Sequence, residues 1–165
     1  FQYRSSNINE KAVKNLKNDK YDALKIAKAK ARHLSKKNKN KIIITFDSTI
    51  LHMGKTIYKC HTKKCCKNTL KSFNNTSHNL YTGMVFMINN SLIRSTLTKT
   101  KILFKKNKIM DVNKYVERNF NQISSAVGCY NVEGKGKTFF KNIEKSYFNV
   151  IGIDIIKFLK ILRTI

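Results

Sequence analysis

The stretch from Leu80 to Phe104 constrains the fold most: LYTGMVFMI, two asparagines, then SLIRSTLTKTKILF. Both runs are rich in β-branched and aromatic residues, and Asn89-Asn90 between them suits the left-handed backbone of a tight turn. They predict two long antiparallel strands that form much of a sheet. KIIITF, from Lys41, supplies another β-branched run, and STILHMGKTIY turns at Gly54. Lys41 to Leu51 is therefore expected to be a buried strand followed by a hairpin-like return, with Asp47 near the strand end.

Helices are expected around this sheet. Leu24, Ala27, Ala31 and Leu34 recur at helical spacing, with Asp19 or Asp22 available as a cap. Thr62 to Phe73 suits a short helix. Asp111 can cap one carrying Val112, Tyr115, Val116 and Phe120, and an amphipathic helix through Ile155, Phe158, Leu159 and Leu162 ends the chain. The class is α/β or α+β with a mixed sheet. At 165 residues one domain spanning 1–165 is the expectation.

A formal net charge of +25 invites a nucleic-acid reading. Yet arginine occurs only at Arg4, Arg32, Arg94, Arg118 and Arg163, and guanidinium is the group favoured for phosphate and base recognition. Lysine carries nearly all the charge, proline is absent, and a solvated lysine coat is the preferred reading over nucleic-acid binding. No apolar run reaches the ~20 residues needed to cross a bilayer. Four unevenly spread cysteines are a poor framework for secreted-type disulfides, so a reducing cytoplasm is expected.

Three stretches invite chemistry. NVEGKGKTFF approaches a phosphate-binding loop, but Asn131 stands where the first glycine belongs and an extended FFKNIE follows in place of a helix, so the match fails. Gly134 and Gly136 read instead as a flexible turn. In YKCHTKKCC, Cys60, His61, Cys65 and Cys66 fall within seven residues, whereas structural zinc draws its ligands from separated pairs. That spacing disfavours a metal site. Asp47 follows an apolar strand, where a carboxylate can hold a divalent metal, accept a proton from water, or serve as a turn or cap.

From Glu10 onward the order of segments resembles the Maf family of nucleoside triphosphate pyrophosphatases. INEKAV matches the family's Asp-Glu-Arg-Ala-Val-like run, LKIAKAKA its A-x-x-K-A helix, and ITFDSTI its Gly-Ala-Asp-Thr-Val-like strand end. IYKC matches Gly-Lys-Pro, SHNLYTG matches Thr-His-x-Val-x-Thr-Gly, VGCYNVEG matches Ala-Gly-Ala-Tyr-x-Ile-Gln-Gly, and SYFNVIGI matches Asp-Tyr-x-x-Ile-Gly-Leu. The resemblance implies a mostly antiparallel, elongated sheet flanked by helices. It also implies cleavage of a nucleotide between its α- and β-phosphates with Mg²⁺ or Mn²⁺ as cofactor. By the same resemblance Asp47 and Glu10 would hold the metal or activate water, Lys59 would offset phosphate charge, and Glu133 would stand where many members have glutamine. Lys59, Ser48 and Glu133 would contact substrate, and a homodimer is a candidate assembly.

Several positions depart from the family pattern. Its opening strand and Ser-x-x-Arg-Arg-like phosphate loop have no counterpart after Phe1, so the domain reads as incomplete at its N-terminus. Cys60 and Asp154 replace prolines, Ser146 replaces an acidic residue, and Thr76 replaces an arginine. These departures predict weakened or lost catalysis. The alternative is a non-catalytic nucleotide- or polyanion-binding remnant of the same fold.

Overall fold

The computed structural model describes residues 2–13 and 16–165. After a single 3-10 turn at Glu10–Ala12 come helix α1 (Asp22–Lys37), strands β1 (Ile43–His52) and β2 (Lys55–Ile57), and helix α2 (Lys63–Phe73). Strands β3 (Ser77–Ile88) and β4 (Ser91–Phe104), helix α3 (Ile109–Ile123), strand β5 (Phe140–Glu144), and helices α4 (Tyr147–Ile151) and α5 (Ile155–Leu162) complete the order.

Met53 and Gly54 both take positive φ, as do Asn89 and Asn90, so each tight turn falls where the sequence predicts it. The five strands run in the order β2-β1-β3-β4-β5. All four pairings are antiparallel, so the described residues add no parallel component to the expected mixed sheet.

Strand pleating sends alternate side chains to opposite faces. On one face Val85 and Met87 pack against Ala27 and Ala31 of α1. That small-residue stripe lets the helix approach closely, and Gly83 carries the approach furthest. A Cβ at Gly83 would lie 2.5 Å from the Leu24 Cα. The opposite face buries the main core, where Ile50, Leu80 and Ile102 of the sheet meet Cys66, Leu70 and Phe73 of α2 and Val112, Val116 and Ile123 of α3. Further along it, Met84 and Phe86 meet Ile161 of α5.

The caps differ from expectation. Tyr21 occupies the N-cap of α1, with Asp22 inside the first turn accepting from the Lys17 and Asp19 backbone N–H groups at 3.0 and 3.1 Å. Its carboxylate ties down the preceding turn as well as serving the helix dipole. Lys108 precedes α3, and Asp111 likewise lies within the first turn without capping. Gly134 leads into a 3-10 turn over Lys135–Phe139, which runs directly into β5. A Cβ at Gly136 would run into the Asn131 carbonyl oxygen.

Three departures from the family pattern have structural jobs. Ser146 caps α4, its Oγ accepting from the Asn149 N–H at 3.1 Å. Asp154 caps α5 through the Lys157 N–H and also accepts from the Thr98 hydroxyl at 3.0 Å. Thr76 donates to the Phe73 carbonyl at 2.9 Å, closing the turn after α2. Caps of this kind contribute about 1 kcal/mol each.

Candidate active site

Asp47 lies mid-strand in β1 rather than near its end as the sequence suggests, because the strand runs on through His52; it sits opposite Gly83 of β3 and on the face covered by α1. One turn before Lys30 on α1, the Ala27 carbonyl accepts from the Thr45 hydroxyl at 2.7 Å, which sets the height of the helix over the strand. Lys30 then reaches Asp47 Oδ1 with Nζ at 2.6 Å and Glu10 Oε1 at 2.6 Å. The ammonium joins two carboxylates from segments far apart in sequence.

Burial pushes the Asp47 carboxyl up, against the hydrogen bond and charge of Lys30. The negative charge of Glu10 adds to the rise and Lys59 opposes it, leaving Asp47 at about 6. Glu10 also feels burial, but the hydrogen bond and charge of Lys30, with the charge of Lys59, hold it below the ordinary carboxylate range. For Lys30, burial would favour the neutral amine, yet Asp47 and Glu10 outweigh it and keep the group protonated. Two nearby carboxylates are thus driven apart in acidity, the pattern that separates a proton acceptor from a fixed anion.

The structure therefore gathers Asp47, Glu10 and Lys59, with Lys59 exposed and acting through its charge. Lys30 was not singled out by the sequence reading, although it is the lysine of the A-x-x-K-A helix. Ser48 points to the opposite face, where its hydroxyl pairs with that of Thr82 at 2.7 Å. Glu133 is exposed on the loop before the 3-10 turn, its N–H held by the Asn131 side chain at 2.9 Å. Among the described residues no hydrogen bond or ion pair joins it to the Lys30 group. His78 and Tyr130 share a buried hydrogen bond of 2.9 Å, and burial lowers the His78 pKa to about 3, so the ring is neutral near pH 7. They fasten the late loop to the sheet.

YKCHTKKCC also folds differently from its sequence reading. Cys60 lies before α2 and is buried, and it is bonded to Cys65 in the first turn of that helix, against the expectation that these cysteines are a poor framework for disulfides. Thr62 caps α2, accepting from the Cys65 N–H, and that turn brings the two Cα atoms to 5.5 Å.

The site is a buried carboxylate and a second carboxylate joined by one lysine on a sheet face of an α/β protein, with the charge of a second lysine acting on both. A family profile described as Maf-like protein matches residues 1–165, and the chain belongs to that family. It is 28% identical over 161 residues to the dTTP/UTP pyrophosphatase of Clostridium botulinum strain Okra, spanning 95% of this chain and 82% of that protein. The dTTP/UTP pyrophosphatase of Pyrococcus furiosus is 29% identical over 158 residues, spanning 96% and 81%. That of Carboxydothermus hydrogenoformans is 28% identical over 142 residues, spanning 86% and 75%. Among the described residues no helix is long and apolar enough to cross a membrane.

Proposed function

We infer that this chain is a nucleoside triphosphate pyrophosphatase, releasing a monophosphate and pyrophosphate. The observation that carries the reading is the Glu10–Lys30–Asp47 cluster, on residues that match the family's motifs. Asp47, half-deprotonated near pH 6, is suited to take a proton from water attacking the α-phosphorus while the bond to the bridging oxygen breaks. Lys59 offsets charge on the departing pyrophosphate, and Lys30 orients both carboxylates. Ser48 and Glu133 belong to the proposal as substrate contacts outside that cluster.

A divalent cation fits the donor set. The Lys30 ammonium already draws two carboxylate oxygens toward one point, and Mg²⁺ or Mn²⁺ accepts one or two carboxylates plus phosphate oxygens. Asp47 and Glu10 would hold it. When bound, it would polarise the phosphate and acidify water.

The relatives' names make dTTP and UTP the first substrates to try. We further propose a cytoplasmic location and a homodimer as the assembly. Pyrophosphate release from a panel of triphosphates with Mg²⁺ or Mn²⁺ is the test. Weak turnover is expected with dTTP and UTP, as the departures from the family pattern predict, falling as pH drops through about 6 as Asp47 takes up a proton. Asp47→Asn should lower kcat by about 100-fold or more. Nucleotide binding with no turnover by the wild-type chain would instead establish a non-catalytic binding remnant.

A further inference from the structure

All four cysteines of the chain meet at one place. Sγ atoms of Cys60, Cys66 and Cys129 lie within 4.8 Å of one another, all three buried, and the fourth cysteine, Cys65, is bonded to Cys60. Cys129 arrives from the loop after α3 and supplies the distant ligand that YKCHTKKCC lacks by itself. Tetrahedral Zn²⁺ with Zn–S bonds of about 2.3 Å separates its sulfurs by about 3.8 Å, so closing onto one ion asks each sulfur to move by less than about 1 Å.

The surroundings are more than an apolar core. The Thr69 hydroxyl lies 3.3 Å from the Cys60 sulfur. Donors of this kind orient and stabilise metal-bound thiolates. Cys66 sits near the N-terminus of α2, whose dipole favours negative charge there.

We propose that the reduced chain binds one Zn²⁺ through Cys60, Cys66 and Cys129, with Cys65 as fourth ligand once the Cys60–Cys65 bond is opened. A dithiol reductant supplies two electrons and two protons to that bond and becomes a disulfide itself; Zn²⁺ then displaces the thiol protons to solvent. Oxidation and metal binding exclude each other, because a sulfur in a disulfide has no thiolate to give. The site is separate from the oxygen donors around Asp47, which suit a hard ion.

The untagged full-length chain, reduced without oxygen and cleared of reductant, is titrated with Zn²⁺ and, as a spectroscopic probe, Co²⁺. One ion per chain is expected, with Co²⁺ giving sulfur-to-metal charge-transfer bands that Asp47-bound Co²⁺ does not give. The oxidised chain should show neither the bands nor the tight site. Cys129→Ser, checked for folding by circular dichroism, should weaken Zn²⁺ binding by about 100-fold or more. Cys65→Ser, which lacks the disulfide and keeps the sulfurs of Cys60, Cys66 and Cys129, should bind with no reductant present but more weakly than the reduced wild-type chain. Absence of charge-transfer bands in both the reduced wild-type chain and Cys65→Ser overturns the proposal. Unweakened Zn²⁺ binding by a folded Cys129→Ser overturns it as well.

Discussion

At Asp47 burial and pairing work against each other, and burial wins. The unfolded carboxyl titrates near 3.8 and the folded one near 6, so between these values the folded state holds the extra proton. Stability contributed by this group is therefore present at low pH and lost as pH rises through about 6. The differential is roughly 3 kcal/mol at most, at 1.36 kcal/mol per unit. Asp47→Asn is expected to gain stability over the wild-type chain at pH 7.5 relative to pH 4, measured by urea unfolding at both values. An equal effect at both would show that the carboxyl is not held up by the fold. Lys30 was legible only as a helix lysine, because its role depends on which strand the helix covers.

Gly83 sets the spacing between α1 and the sheet, and with it the reach of Lys30. Added at that position, a Cβ meets the backbone of Leu24 and Ala23, which cannot rotate away as a side chain can. Gly83→Ala is expected to cost about 1–3 kcal/mol in denaturant unfolding and to lower kcat by lifting Lys30 from Asp47. An unchanged midpoint would mean that α1 shifts freely. The glycine is visible in SHNLYTG, but its reason is not, since the clash comes from a helix about sixty residues earlier. Both hairpins, in contrast, were readable outright, as Met53-Gly54 and Asn89-Asn90 are local turn chemistry. Helix caps were read less well because an acidic residue near a helix start can cap it or sit inside its first turn; Asp22 and Asp111 both lie inside.

Across the whole molecule, a net charge of +25 on 165 residues acts on stability and on substrate together. Like charges repel in the compact state and draw an anionic nucleotide from a distance. Raising ionic strength from about 0.01 M to 0.1 M shortens screening from about 30 Å to 10 Å. The melting temperature is expected to rise over that range while kcat/KM for a triphosphate falls, both with NaCl. If both stay flat, the lysine coat is electrostatically inert. The pair of Lys63 and Lys67 on Glu117, at 2.6 Å each, shows how the coat is partly offset where α2 meets α3.

The sequence by itself determined what depends on near neighbours: alternation along strands, left-handed turn residues, helical spacing, and an ordered set of motifs naming the family. Tertiary structure decided what depends on facing. It placed Asp47 and Ser48 on opposite sides of one strand, brought Lys30 between two carboxylates, and delivered Cys129 to the cysteines of YKCHTKKCC. Pleat and packing make those choices, since neighbours in sequence diverge across a sheet while distant segments converge on one face of it.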